Sequence, residues 1–293
     1  MSPVPAVILQ SGQLRAEVLP ASGGALARLD WLGRGANFPL FRNLPVGIYP
    51  VPSQLACFPL VPWSNRMAPG GFIFQGRDYH PASNREGEPC PIHGEGWQRE
   101  WDVARQAGDC VELVLDCSAG SPFSYVATLG YAIAGDSLRV DLSVRNEGSE
   151  PMPFGLGLHP WFVREPGVTV QACARSVWQR ADLGLPGLQV PLPHEWDFNT
   201  ARALPPSLID NVFAGWDGVA RIVWPSGMAL DIAADMQYFI LYAPVDRDVF
   251  CFEPVDHAIN AHNLPGGAAR NGLTVLAAGQ TLRRTVSFTL TAP

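Results

Sequence analysis

Glycine and proline interrupt this sequence so often that long helices have little room to form. The 293 residues include 29 glycines and 28 prolines, which are spread along the whole chain. Proline disrupts a helix interior, and glycine favours turns. The runs between these residues are short and either apolar or alternating, as β-strands are. The sequence therefore predicts an all-β protein.

The clearest strand signal lies in the middle of the chain. Over residues 138–144 apolar and polar side chains alternate, as in a strand with one buried face. Residues 125–133 form the preceding run, and Ala134-Gly135-Asp136-Ser137 supplies a turn, so the two runs predict a hairpin. Similar patterns predict strands at residues 111–115, 220–224, 228–232, 238–242, 249–252 and 286–290.

Many short strands separated by turns are typical of a sandwich or a barrel. The hydrophobic fraction of 47% is sufficient for a large core without disulfide support. The proline-rich residues 183–206 are either a long surface excursion or a linker between domains. We favour the excursion because strands of similar character lie on both sides, and we predict one domain over residues 1–293.

Charge and composition exclude several classes of function. The net charge is −7 and only 16% of residues are charged, so neither nucleic acid nor an anionic membrane is an expected partner. No apolar run reaches about 18 residues, and the segment Met1-Ser2-Pro3-Val4-Pro5 lacks the features of a secretory signal. We therefore expect a cytoplasmic protein that is a monomer or a homodimer.

The cysteines do not predict a metal site. No pair has the CxxC spacing of a structural zinc site. We expect reduced and mostly buried thiols, with disulfides as the alternative that the even count leaves open. The six are Cys57, Cys90, Cys110, Cys117, Cys173 and Cys251.

Two polar clusters occur in the first third of the chain. Asn65 and Arg66 follow an apolar run that ends at Trp63, and the guanidinium offers five donors that suit sugar hydroxyls. His93 lies between a proline and two glycines, where the backbone can approach a ligand closely. A structural arginine and a loop histidine are the ordinary alternatives.

Two more clusters follow. His159 is polar within an otherwise apolar segment that continues to Trp161, and Glu253 ends an apolar run next to a proline. Desolvation of such a carboxyl raises its pKa toward the range of a general base. A core histidine bonded to a carbonyl and a surface glutamate are the alternatives. Taken together, the four clusters favour acid–base chemistry on a neutral polar ligand such as a sugar, with tryptophan rings as stacking surfaces.

These residues occur in the order of a known family. The chain resembles the aldose 1-epimerase (galactose mutarotase) family over most of its length. The matching motifs are Asn65-Arg66 with the following Gly-Phe, His93-Gly94 with Trp97, His159-Pro160-Trp161-Phe162, Asp197-Phe198, Ile209-Asp210-Asn211-Val212-Phe213, Glu253-Pro254, Asn271-Gly272-Leu273 and Leu276-Ala277-Ala278-Gly279.

The resemblance implies a β-supersandwich and a role for each polar residue. His159 would protonate the ring oxygen of a monosaccharide, Glu253 would accept the proton of the anomeric hydroxyl, and His93 would hydrogen-bond near the ring oxygen. Arg66 and Asp210 would bind hydroxyls, with Asp197 and Asp217 as nearby alternatives to Asp210. Asn65, Trp63 and Trp161 complete the predicted substrate-binding set, and neither a metal nor a cofactor is expected.

Three other functions remain open at this stage. A non-catalytic sugar-binding or sugar-sensing module would need no acid–base pair. A mutarotase for a phosphorylated sugar would need an extra cation at the pocket, for which Arg85, Arg99 and Arg164 are candidates. A glycoside hydrolase is disfavoured because only one carboxylate is well placed.

Overall fold

The computed structural model describes residues 6–33, 37–42 and 51–292. The first five residues, on which the absence of a secretory signal was predicted, lie outside them. Twenty-four strands fall within the described residues. They are β1 (Val7–Ser11), β2 (Leu14–Leu19), β3 (Ala25–Trp31), β4 (Phe38–Pro39), β5 (Cys57–Leu60), β6 (Phe72–Phe74), β7 (Arg77–Tyr79), β8 (Asp102–Gln106), β9 (Cys110–Cys117), β10 (Tyr125–Ala134), β11 (Ser137–Asn146), β12 (Met152–Phe154), β13 (Gly157–Val163), β14 (Thr169–Ala172), β15 (Ser176–Arg180), β16 (Pro186–Pro191), β17 (Arg202–Ala203), β18 (Ile209–Ala214), β19 (Val219–Val223), β20 (Ala229–Ala234), β21 (Tyr238–Ala243), β22 (Val249–Val255), β23 (Thr274–Leu276) and β24 (Thr281–Thr291).

Helical structure is confined to four short 3₁₀ turns within the described ranges: Pro52–Gln54, Asp182–Gly184, His194–Trp196 and Ala269–Asn271. None of these turns is long and apolar enough to cross a membrane. The predicted all-β class is therefore confirmed.

Two large antiparallel sheets organise the strands. One has the order β1-β2-β3-β5-β13-β22-β21-β18-β15-β16, with β4 paired to β3. The other has the order β17-β14-β19-β20-β24-β11-β10-β9-β8. Two small sheets, β12-β23 and β6-β7, complete the β-supersandwich that was expected.

The predicted hairpins are present, and their strands begin and end within two residues of the predicted positions. β10 pairs with β11 around Gly135, whose φ is +58°, and β19 pairs with β20. The proline-rich segment is built into the fold, since β16 pairs with β15 and β17 pairs with β14. This segment therefore adds an edge strand to each large sheet.

The strict alternation of β10 and β11 buries one face of the second sheet in the main core. The central strands of the first sheet differ, because nearly every residue of β5, β13 and β22 is buried. One face of these strands joins the main core, and the other joins a second cluster that contains Phe58, Trp97 and Trp161. The candidate site lies on this second face.

All six cysteines lie within the described ranges and all are free thiols. Four of them are buried, Cys110 is half-buried and Cys173 is exposed. The prediction of mostly buried, unpaired cysteines is therefore confirmed.

Candidate active site

The pairing of β13 with β22 brings the two predicted catalytic residues together. Gly157 pairs with Val255 and Trp161 pairs with Cys251, so His159 and Glu253 occupy matching positions between these pairs. Because side chains alternate along a strand, Glu253 shares a face with Cys251, whereas Phe252 points into the main core. Two residues far apart in sequence thus become direct neighbours.

His159 and Glu253 form a close, buried pair. The Nε2 atom of His159 lies 3.3 Å from Oε1 of Glu253, and their side chains are 9% and 2% exposed. Within the described part of the chain, neither Nδ1 of His159 nor Oε2 of Glu253 has a hydrogen-bond partner. An unsatisfied buried polar group costs about 1–3 kcal/mol. Such a cost is expected where the groups are reserved for a ligand.

Burial sets the charge state of this pair. Burial, followed by the positive charge of Arg42, lowers the pKa of His159 to about 3. Burial also raises the pKa of Glu253 well above its usual range; Asp210 adds to that effect and Arg66 opposes it. Both shifts favour the uncharged forms, a neutral imidazole and a protonated carboxyl. Transfer of the carboxyl proton from Glu253 to Nε2 of His159, across the 3.3 Å gap, would give an imidazolium and a carboxylate.

His93 enters from a loop and faces His159. Their ring centroids are 5.2 Å apart and the rings are nearly perpendicular. The backbone N–H of Asn65 donates to Nδ1 of His93 over 3.0 Å, so the neutral ring carries its proton on Nε2 and can donate it. Burial lowers the pKa of His93 well below its usual range, which keeps the ring neutral.

The loop that carries His93 requires glycine at the next position. Gly94 has a φ of +66°, and a Cβ there would lie 2.2 Å from the carbonyl oxygen of Val61. The two chain segments also exchange backbone contacts, since the N–H of His93 donates to the carbonyl of Asn65. Asn65 therefore acts on the site by orienting His93.

Arg66 and Asp210 lie near Glu253, and each is held by an opposite charge. Arg66 donates to Oε2 of Glu88 from Nε over 3.1 Å and from Nη2 over 2.9 Å. Asp210 accepts a 2.9 Å hydrogen bond from Nε of Arg180. These ion pairs fix two polar groups that suit sugar hydroxyls.

Aromatic rings surround the imidazole of His159. The Phe58 ring stacks on the imidazole with ring centroids 4.4 Å apart. Trp161, two residues further along β13, also stacks on it, with centroids 5.4 Å apart. Tyr242 meets Trp161 edge-on at 5.8 Å. Arg42 lies over the Trp161 ring, with Cζ 4.0 Å from its centroid. These contacts exclude water from His159 and fix its orientation.

The pair lies in a cavity of about 610 Å³, within the size range of small-molecule sites. Its lining is mostly polar and charged, apart from the aromatic rings around His159. It consists of Arg42, Ser53, Gln54, Phe58, Asn65, Arg66, Arg85, Glu86, Gly87, Glu88, Ile92, His93, Trp97, His159, Trp161, Arg180, Leu208, Asp210, Tyr242, Arg247 and Glu253.

One set of side chains in the site has donor atoms that could bind a metal. A ring nitrogen of His159, the thiol of Cys251 and a carboxylate oxygen of Glu253 lie within 4.8 Å of one another. The expectation that the site uses no metal stays a prediction.

The comparison with known families places this geometry in context. The aldose 1-epimerase family model matches residues 5–289, nearly the whole chain. The chain belongs to the aldose 1-epimerase family. The family resemblance read from the ordered sequence motifs is thereby confirmed.

One curated relative and two solved structures show how similar this chain is to known proteins. The uncharacterized protein YphB of Escherichia coli K12 is 36% identical over 249 residues, which cover 81% of this chain and 84% of YphB. A crystal structure from Escherichia coli K12, provisionally named an aldose 1-epimerase, is 32% identical with a TM-score of 0.90 over 99% of both chains. A galactose mutarotase-like protein from Clostridium acetobutylicum shares the fold at 19% identity, with a TM-score of 0.84 over 98% of this chain and 95% of that one.

Seven of the eight predicted site residues of this aldose 1-epimerase family member line one cavity, and Trp63 does not. Trp63 packs against Phe123 in the main core, with ring centroids 5.2 Å apart. Its assignment as a substrate-binding residue is corrected for this reason. Among the candidate carboxylates, Asp210 reaches the cavity, whereas Asp197 and Asp217 accept backbone N–H groups two residues further on.

The candidate cations divide in the same way. Arg85 lines the cavity, but Arg99 lies beside Glu95 elsewhere, and Arg164 donates to the backbone carbonyls of Pro244 and Pro205. Several further residues line the cavity but were not predicted from the sequence: Arg42, Phe58, Glu88, Arg180, Tyr242 and Arg247. The apolar runs before Arg42 and Tyr242 were available signals, whereas Arg180, at the end of β15, and the loop residue Arg247 had none.

Proposed function

We propose that this protein is a mutarotase, which interconverts the α and β anomers of a monosaccharide without a cofactor. The observation that supports this most directly is the buried His159–Glu253 pair at 3.3 Å, which faces a sugar-sized cavity with unsatisfied polar atoms. One proton donor and one acceptor at this spacing suit two oxygens on the same anomeric carbon.

Ring opening uses the ionised form of the pair. The carboxylate of Glu253 accepts the proton of the anomeric hydroxyl O1 while the imidazolium of His159 donates its proton to the ring oxygen O5. The C1–O5 bond breaks and O1 becomes the carbonyl oxygen of the open-chain aldehyde. His93 donates a hydrogen bond from Nε2 near O5, which steadies the charge that develops there.

Ring closure reverses these transfers on the other face of the carbonyl. After rotation about the C1–C2 bond, O5 attacks C1 and returns its proton to His159, and Glu253 returns its proton to O1. Arg66 and Asp210 hold hydroxyl groups during the rotation, and Trp161 keeps His159 oriented. Each step transfers only protons, so the reaction needs neither a redox partner nor a covalent intermediate with the protein.

The test follows anomeric exchange in freshly dissolved α-D-glucose and α-D-galactose by polarimetry or NMR. The wild-type protein should accelerate conversion of at least one of these sugars. The E253Q and H159Q variants should each lose about 10²–10⁴-fold in rate, the usual contribution of general acid–base catalysis.

The matched control is E112Q. Glu112 is an exposed glutamate on β9, beside Arg105 and outside the cavity, so this variant should keep the wild-type rate. A folded wild-type protein without effect on any aldose would contradict the proposal. Tight sugar binding without anomeric exchange would instead identify a sugar-binding module.

A further inference from the structure

The cavity contains more positive charge than its carboxylates neutralise. Five arginines line it in a protein whose net charge is −7. Two of them are paired, Arg66 with Glu88 and Arg180 with Asp210, each at 2.9 Å.

Arg42, Arg85 and Arg247 are the other three. Within the described ranges, none has a carboxylate oxygen within 4.0 Å, although Glu86 lines the same rim as Arg85 and Asp246 precedes Arg247.

The excess positive charge of the cavity includes Arg42, whose guanidinium is held in place by backbone carbonyl groups. Its guanidinium is half-buried and donates to the carbonyl oxygens of Leu55, at 2.9 and 3.1 Å, and of Ser53. These partners are neutral, so the charge stays uncompensated. Burial lowers the pKa of Arg42 to about 10, and nearby Arg247 adds to that effect, yet the group stays cationic at neutral pH. A partly desolvated cation without a counter-ion favours an anionic ligand.

Two of the unpaired arginines lie toward the histidine end of the site. Arg42 lies over the Trp161 ring, 4.0 Å from its centroid, and that ring stacks on His159. Arg42 and Arg85 both act on His159, whereas the paired Arg66 acts on Glu253, where the anomeric hydroxyl is expected, and on His93. The uncompensated cations therefore face the histidine end of the cavity, where the ring oxygen is expected.

The connectivity of a pyranose shows which substituent of the sugar would lie near the unpaired arginines. The ring oxygen lies between C1 and C5, and C6 is attached to C5. With O1 at Glu253 and O5 at the histidines, C5 and its C6 substituent extend away from Glu253, toward the unpaired arginines. Resting on the proposed function, we propose that the substrate is an anionic aldose whose C6 group is a phosphate, sulfonate or carboxylate held by Arg85 and Arg42, with Arg247 beside them.

An anionic substrate in this position would also help to protonate His159, the general acid of ring opening. Arg42 and Arg85 both disfavour the imidazolium of His159. An anion placed between these arginines and the histidine offsets their field and favours the protonated ring. A neutral sugar lacks that effect, so the preference for an anionic sugar should appear in kcat as well as in KM.

The test compares anomeric exchange of D-glucose, D-glucose 6-phosphate, 6-deoxy-6-sulfo-D-glucose and D-glucuronate by NMR exchange spectroscopy at equal ionic strength. At least one anionic sugar should exceed glucose by about tenfold or more in kcat/KM, and the best of the three identifies the anionic group. In the R85Q variant the ratio of anionic to neutral kcat/KM should fall about 10- to 100-fold, as expected for one hydrogen bond to a charged group.

R99Q is the matched control, because Arg99 is also an exposed loop arginine but lies outside the cavity. It should leave the ratio unchanged. Exchange of glucose at a rate equal to or above that of every anionic sugar would overturn the inference and leave the mutarotase proposal standing, as would equal ratios in R85Q and R99Q.

If the protein accelerates no sugar, the mutarotase proposal fails. Calorimetric titration with glucose 6-phosphate and with glucose then decides the anion site separately. Tighter binding of the phosphate, weakened in R85Q but not in R99Q, supports the site, and equal affinities overturn it.

Discussion

The buried carboxyl of Glu253 should make this protein less stable as the pH rises, and E253Q should remove that effect. Burial raises the pKa of Glu253 above the value of 4.5 that the unfolded chain would show. The stabilising contribution of the protonated carboxyl is therefore fully present below pH 4.5 and is lost as the pH rises through the folded-state pKa. Glutamine has nearly the same shape and stays neutral throughout.

The size of the effect follows from proton linkage. While the folded carboxyl retains its proton, each pH unit above 4.5 lowers the stability of the wild-type protein relative to E253Q by about 1.4 kcal/mol. If the folded carboxyl stays protonated up to pH 6.5, the difference should grow by roughly 2.3 kcal/mol between pH 4.5 and 6.5, because the unfolded carboxyl is already half ionised at pH 4.5. His159 stays buried in both proteins, so its own titration largely cancels in the comparison.

The assay is urea denaturation of both proteins at pH 4.5, 5.5 and 6.5, with E112Q as the surface control. E253Q should gain stability over wild type with rising pH, while E112Q shows no such trend. A difference between E253Q and wild type that does not change with pH would refute the reasoning, since it would mean that the folded carboxyl titrates as it does in the unfolded chain.

Three further predictions concern the loop, the core and the cofactor requirement. G94A should lose more than about 1 kcal/mol of unfolding free energy, because its Cβ would meet the Val61 carbonyl at 2.2 Å, whereas G87A has open space and should lose less in the same urea titration. W63F should lower the melting temperature but leave KM unchanged, since Trp63 packs against Phe123 outside the cavity; a raised KM would return Trp63 to the site. Dialysis against EDTA should leave the mutarotase rate unchanged, because side chains carry every proposed proton transfer; a loss restored by Zn²⁺ would show otherwise.

Much of the fold could be predicted from local patterns. The alternation over residues 138–144 requires one buried face, and the turn at Gly135 sets the partner strand, so the β10–β11 hairpin followed directly. Local patterns did not reveal that β13 and β22 are adjacent. The strands are separated by a long stretch of chain, and no turn signal links them.

The limits of sequence reasoning at the site have the same origin. Trp63 is a near neighbour of Arg66 in the chain, yet its ring enters the core while Arg66 reaches the cavity. Arg180 and Arg247 come from distant segments, and nothing in their local sequence distinguishes them from ordinary surface arginines.

The sequence by itself determined the β class, the turn positions and the ordered motifs of the aldose 1-epimerase family, because these depend on neighbouring residues and on side-chain periodicity. Only the tertiary structure decided that His159 and Glu253 lie 3.3 Å apart and that their cavity holds three arginines with no ion-pair partner in the part of the chain that the structure describes. Strand pairing sets the distance between residues that are remote in sequence, and burial sets the charge they carry. Both depend on the whole folded chain rather than on any segment of it.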